Sequence, residues 1–205
     1  MIFKKTERTG GADDFCTSAL IETMPWRKKG EPLHVARAEV KYDGSALYVR
    51  MRSYETAPLA TRLNFGDPVC RDSCLEFFFA PKAGDNAYFN FELNPLGTVY
   101  AGFSPEGTRQ SSRLLTDSDA ADGSLFRPSS SSGPLFWEVS YTIPYEFIRR
   151  YVTDFKTPAP GDILRCNFYT CCDDAPLPYY TVWHNISAPS PDYHRPECFG
   201  ALVFE

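Results

Sequence analysis

Residues 72–81 (D-S-C-L-E-F-F-F-A-P) and 87–102 (A-Y-F-N-F-E-L-N-P-L-G-T-V-Y-A-G) alternate with a period of two. That is the spacing at which a β-strand sends successive side chains to opposite faces. Leu75, Phe77 and Phe79 share one face of the first run, with Cys74, Glu76 and Phe78 on the other. In the second run Phe89, Phe91 and Leu93 oppose Tyr88, Asn90, Glu92 and Asn94. A non-core face presenting Glu, Asn, Glu and Asn is hydrogen-bonding equipment rather than a plain solvated surface. Function is expected there.

The same period recurs along the chain. Residues 35–42 and 46–55 read as strands joined by the hairpin connection Asp43-Gly44-Ser45. Asn94-Pro95-Leu96-Gly97 is a turn before a strand at 98–103. Residues 135–143 alternate, placing Trp137, Val139, Tyr141 and Ile143 inward and Glu138, Ser140 and Thr142 outward. Strands at 163–171, 179–183 and 199–204 complete the set, and one short helix is predicted at 145–151, after Pro144. The 17 prolines and 13 glycines lie mainly between these runs, as turn chemistry requires. Residues 104–134 are polar, with four serines at 129–132, and read as a long loop with one ragged strand near 111–115. No internal repeat is visible. Many short strands and almost no helix predict an all-β fold, an antiparallel β-sandwich of immunoglobulin-like or jelly-roll-like type. One domain is expected over residues 1–205.

Composition narrows the partners. A 205-residue chain with 43% hydrophobic and 15% aromatic residues can bury a substantial core. A net charge of -5 and a pI near 5.3 give no attraction to nucleic acid or anionic membranes, so neither is expected as a partner. No apolar run approaches the length of a membrane span. The seven cysteines are odd in number, and the start M-I-F-K-K-T-E-R lacks a signal-peptide core. Free thiols in the cytoplasm are therefore expected, or a trimmed secreted chain in which some cysteines pair. Asn185-Ile186-Ser187 is a glycosylation sequon, without meaning in the cytoplasm. Nothing in the sequence sets the oligomeric state.

Sugars need flat apolar faces for their C–H surfaces and polar groups for vicinal hydroxyls. Glu76, Asn90, Glu92 and Asn94 supply the polar groups, and Asn167 and Tyr169 extend them by alternation. Arg50 and Arg52, with Tyr48 and Tyr54, could join from a neighbouring strand. The bland alternative is a ladder of cross-strand pairs that only stabilises the sheet. Same-face carboxylates would repel without a ligand or an arginine, which favours binding. Glu76 and Glu92 also raise a glycosidase reading. His34, His184 and His194 lack ligand spacing, and Cys70, Cys74, Cys171 and Cys172 form no C-x-x-C pair, so no metal site is expected. Met51 with His184 or His194 could serve a haem, against a core Met and a loop His. Asp67, Asp173 and Asp174 are weak calcium candidates. His194-Arg195 could touch a ligand or merely belong to a pinned loop. Trp26 and Trp137 read as core, and Asp72 as a turn cap.

Those strands and the tail, C-N-F-Y-T-C-C-D-D at 166–174 and P-S-P-D-Y-H-R-P-E-C-F-G-A-L-V-F at 189–204, resemble the carbohydrate-binding module family 9-like proteins, specifically a stand-alone bacterial branch. The resemblance runs from about Trp26 onward, and residues 104–134 match least. It implies a non-catalytic β-sandwich that grips a mono- or oligosaccharide between two tryptophans, with acidic, amide and arginine side chains as partners. Structural calcium occurs in some members; no other cofactor is implied. Where the family has a tryptophan before D-x-x-x-E, this chain has Cys70, followed by Arg71. Tyr88, Tyr54 or Tyr169 would then supply that wall, and Trp183 matches the second. Glu76, Asn90, Glu92, Asn94, Arg71, Tyr88, Asn167, Tyr169, Trp183, His194 and Arg195 are the expected ligand-binding residues. A structural or protein-interaction sandwich that has lost sugar binding is the rival reading, with glycoside hydrolase and haem-binding domain behind it.

Overall fold

The alternating runs become the strands of two packed sheets. The computed structural model describes residues 2–3, 18–116 and 123–205. In spatial order the eight-stranded sheet contains β1 (Ile2–Phe3), β13 (Gly200–Phe204), β11 (Ile163–Cys172), β5 (Cys74–Ala80), β6 (Tyr88–Leu93), β7 (Val99–Ser104) and β8 (Arg113–Leu114). A further strand, β12 (Tyr179–Val182), also pairs with β11. The five-stranded sheet runs β2 (Ser18–Ile21), β3 (Ala36–Tyr42), β4 (Ala46–Ser53), β10 (Phe136–Pro144) and β9 (Ser129–Gly133). Every pairing is antiparallel except β1 with β13. The expected antiparallel β-sandwich is the observed fold, and the helix α1 is Tyr145–Tyr151.

Between the sheets the predicted inward residues meet. Leu75, Phe77, Phe79, Phe89, Phe91 and Leu93 pack in one buried cluster with Val40, Val49, Met51, Trp137, Val139 and Ile143. Phe77 stacks on Phe168 with ring centres 4.8 Å apart. Each such side chain withdrawn from water contributes roughly 1.5–3 kcal/mol. Met51 is spent in this core, so it is no haem ligand.

The four serines at 129–132 are strand, not loop, pairing with β10 in register from Ser129 opposite Ser140 to Ser132 opposite Trp137. They carry no hydrophobic alternation because β9 is an exposed edge, where polar residues suffice. Phe126 from the same stretch is buried against Phe91 and Phe147, at 5.1 and 5.0 Å between ring centres. Residues 117–122 of the expected loop lie outside the described residues. Arg50 and Arg52 do not join the polar face of β5 and β6, because β4 belongs to the other sheet. They pair there with Glu39 and Glu138 at 2.6 and 2.8 Å.

The face of the eight-stranded sheet that carries Glu76 and Asn90 is not an open polar surface. It is a second buried layer: Cys74, Phe78, Tyr88, Tyr169, Cys171, Val182, Ile186, Tyr193 and Phe199 cluster upon it. The Pro-rich connection after β12 supplies the cover. Trp26 pins it by donating its indole N–H to the Ala188 carbonyl at 2.8 Å. No helix of the described residues is long and apolar enough to cross a membrane.

Candidate functional site

Register assembles the floor of a cleft. Glu92 stands opposite Glu76 across β6 and β5, and opposite Tyr100 on the other side. Glu76 in turn faces Tyr169 across β11. Cross-strand partners share a face, so the period-two pattern and the register together place both carboxyls side by side. Glu76 is 2% exposed and Glu92 7%.

Over this floor opens a cleft of about 460 Å³, lined also by Cys70, Arg109, Cys171, Asp173, Tyr180, Ser190, Pro191, Asp192, Tyr193 and His194. Such a volume suits a small ligand. Tyr180 forms part of the wall, half-buried, packed edge-on against Trp26 and Tyr193 and donating its hydroxyl to Asp173 at 3.0 Å. Arg109 reaches in from a short 3₁₀ turn, Arg109–Ser111, whose Thr108 caps it through a reciprocal bond with Ser111. Its guanidinium donates to Asp192 at 3.0 Å.

Electrostatics follow from burial. Burial lifts the Glu76 carboxyl well above the ordinary carboxylate range, and the Glu92 charge pushes it further. Burial likewise lifts Glu92 to about 7; Asn90 and Arg109 oppose this shift. Asn90 donates to Glu92 at 2.8 Å, while its own amide oxygen is buried without a partner among the described residues. Its position depends on Gly102 across β7, because a Cβ there would collide with the Asn90 amide. His194 is driven down to about 4 by burial and by Arg109. Neutral His194 shares a 2.6 Å hydrogen bond between Nδ1 and the Tyr88 hydroxyl.

Of the residues expected to bind ligand, the cleft collects Glu76, Glu92 and His194, with Asn90 one hydrogen bond behind. The others do not line it. Asn94 spends its amide on the Arg62 carbonyl and Asp72, and its oxygen on the turn N–H groups of Leu96 and Thr98. Asn167 is used likewise: it donates to the His184 carbonyl and accepts from the His184 N–H. Tyr169 stacks flat on Tyr193 at 4.1 Å and is fully buried, and Tyr88 stacks on Phe78. Trp183 lies against Gly200, where a Cβ would come within 2.7 Å of its ring, and packs on Phe168. Arg71 pairs with Asp174 at 3.0 Å and Arg195 with Glu197 at 3.0 Å. Asp72 is a local anchor, as the sequence suggested, accepting from Thr61 and Arg62.

The calcium candidates are dispersed. Asp67 accepts from the Leu63 and Asn64 N–H groups, Asp173 from Tyr180, and Asp174 from arginines. No calcium set of three carboxylates forms among the described residues. Sequence reasoning passed over Arg109, Asp192, Tyr180 and Tyr193. Arg109 was hidden in a polar stretch without periodicity. The others stand in short segments whose contacts come from tertiary packing.

The model of carbohydrate-binding family 9 matches residues 15–204. A Bacteroides uniformis ATCC 8492 protein, whose own carbohydrate-binding role is a proposal, superimposes with a TM-score of 0.83 at 21% identity, over 100% of this chain and 98% of its own. A family 9 module from Caldicellulosiruptor kristjanssonii in complex with cellotriose gives 0.66 at 14% identity, over 100% and 93%. A family 9 module from the same organism in complex with glucose gives 0.58 at 14%, over 90% and 83%. No curated protein matches the chain.

Proposed function

The chain belongs to carbohydrate-binding family 9, and from that premise we propose that the cleft above Glu76 and Glu92 holds the end of a mono- or oligosaccharide without cleaving it. The observation that carries this reading is the composition of the cleft: carboxyl acceptors, an arginine donor and the Tyr180 side chain line one cavity of about 460 Å³. Glu92, Asp173 and Asp192 would accept from sugar hydroxyls, Arg109 would donate, and Tyr180 would meet the C–H face of the ring. Glucose and cellotriose, the ligands of the Caldicellulosiruptor kristjanssonii modules, are the first to try.

A binding role fits the carboxyls better than hydrolysis does. Glycosidase carboxyls flank the scissile bond from both sides. Glu76 and Glu92 instead sit side by side on neighbouring strands of one floor. Calorimetric titration with glucose, cellotriose and a panel of other saccharides tests the proposal. Saturable heat at one site per chain supports it, and no heat with any member sinks it. Release of aryl alcohol from aryl glycosides would restore the glycosidase reading.

A further inference from the structure

The cleft floor contains a second chemistry. Cys74 and Cys171 are direct cross-strand partners on β5 and β11. Glu76 lies two residues beyond Cys74, hence on the same face of the same strand. The sulfur atoms of both cysteines and a carboxylate oxygen of Glu76 all lie within 4.8 Å of one another, and all three residues are buried. Cys171 Sγ is 3.1 Å from Glu76 Oε1. From this geometry we propose that Cys74, Cys171 and Glu76 form a site for a thiophilic divalent cation, Zn²⁺ being the occupant that fits best, with its fourth position open to the cleft.

In a tetrahedral zinc site, with Zn–S about 2.3 Å and Zn–O about 2.0–2.2 Å, neighbouring donor atoms are roughly 3.5–3.8 Å apart. Cys171 Sγ and Glu76 Oε1 are 3.1 Å apart and Cys74 Sγ is within 4.8 Å of both, so side-chain rotations can bring the three donors to that spacing. Two sulfurs and one oxygen are a poor set for Ca²⁺ or Mg²⁺, which take oxygen ligands. Both thiols pack in the buried layer, and their contacts to backbone carbonyls are long. Cys74 Sγ is 4.0 Å from the Leu75 carbonyl, and Cys171 Sγ also faces the Cys70 carbonyl at 3.6 Å. Glu76 and Cys171 line the cleft together with Cys70 and Glu92, which gives the ion a route in from solvent and an exposed face. Water, Glu92 or a ligand oxygen would complete the coordination. Binding displaces both thiol protons, and the Glu76 proton when it is present, to solvent. The ligands lie on strands about a hundred residues apart, so no local cysteine spacing announces them.

The test uses the full chain, reduced and stripped with a chelator, titrated anaerobically with Co²⁺ and then with Zn²⁺ in the absence of sugar. One equivalent of Co²⁺ should give a thiolate-to-cobalt charge-transfer band, and Zn²⁺ should abolish it. Cys74→Ser and Cys171→Ser should each remove the band and weaken Zn²⁺ about 100-fold or more. Glu76→Gln should keep a weaker band and cost about 10-fold. Cys198→Ser, outside the cluster, should bind as the wild type does. Circular dichroism checks that the serine variants fold; if they do not, Glu76→Gln carries the test. Absence of a stoichiometric band, or one that survives both serine variants or is unaffected by Glu76→Gln, overturns the proposal. Because no sugar is present, that failure would leave the carbohydrate reading standing.

Discussion

Glu76 and Glu92 stand directly opposite one another across two antiparallel strands, both buried at the bottom of a solvent-connected cleft. Two like charges so placed repel strongly, and burial disfavours each charge separately. The protein therefore holds protons here that an unfolded chain would release.

A pH dependence follows. The folded-state pKa of Glu92 is raised from 4.5 to about 7. Its contribution to stability is complete below pH 4.5 and is lost as pH rises towards 7. Glu92→Gln should remove that loss, so its stability relative to wild type should grow between those limits, by on the order of 3 kcal/mol at most. Urea unfolding of both proteins across this range, with chelator present, measures the difference. A pH-independent difference would show that Glu92 does not hold its proton in the fold.

His194 carries the opposite sign. Burial depresses its folded pKa from 6.5 to about 4, Arg109 adding to the shift and Asp192 opposing it. The neutral ring's contribution is complete above 6.5 and is lost as pH falls through 4. His194→Phe should lose stability at neutral pH, because the Tyr88 hydroxyl loses its bond to the imidazole, but should lose less on acidification. Difference curves from the same unfolding series separate this effect from that of Glu92. Equal acid sensitivity in the two proteins would contradict it.

Trp183, the aromatic wall that the sequence suggested, packs on Phe168 and Gly200, whereas Tyr180, which the sequence did not single out, lines the cleft. Tyr180→Ala should weaken saccharide binding about tenfold, the contribution of one aromatic contact, and also lower stability through the packing lost on Trp26 and Tyr193. Trp183→Ala should cost about 3 kcal/mol of stability, by leaving a hole over Gly200 and Phe168, and spare affinity in the protein that remains folded. Titration and denaturation of the two variants read both quantities. A Trp183 variant that folds normally but fails to bind would return the site to the tail of the sheet.

Asn94 gives a further check on where the site ends. Its amide bridges Arg62 and Asp72, and its oxygen closes the following turn. Asn94→Ala should therefore destabilise the protein by about 2 kcal/mol and leave affinity unchanged. An affinity loss without destabilisation, seen in the same two assays, would place it in the binding surface.

Most of the fold was legible because period-two alternation is strong wherever one face enters the main core. Trp137 and Ile143 on β10 and Phe77 and Phe79 on β5 are such positions. The serine strand β9 was not, since an exposed edge needs no apolar residues. The site was only partly legible. Alternation put Glu76, Asn90 and Glu92 on one face, but it put Asn94 and Tyr88 there equally. It could not show that a Pro-rich connection folds over that face and turns most of it into core. Arg109, which the carboxyl pair called for, came from the stretch with the least pattern. Cys74 and Cys171 became neighbours only through the register of β5 and β11.

Saccharide in the cleft above Glu92 is the proposal on which the binding predictions rest. A crystal structure of the protein grown with saturating cellotriose tests it most directly. The expected result is a sugar end within hydrogen-bond distance of Glu92 and Arg109, its ring face against Tyr180. Sugar bound beside Trp183, or an empty cleft under conditions where calorimetry shows saturation, would contradict it.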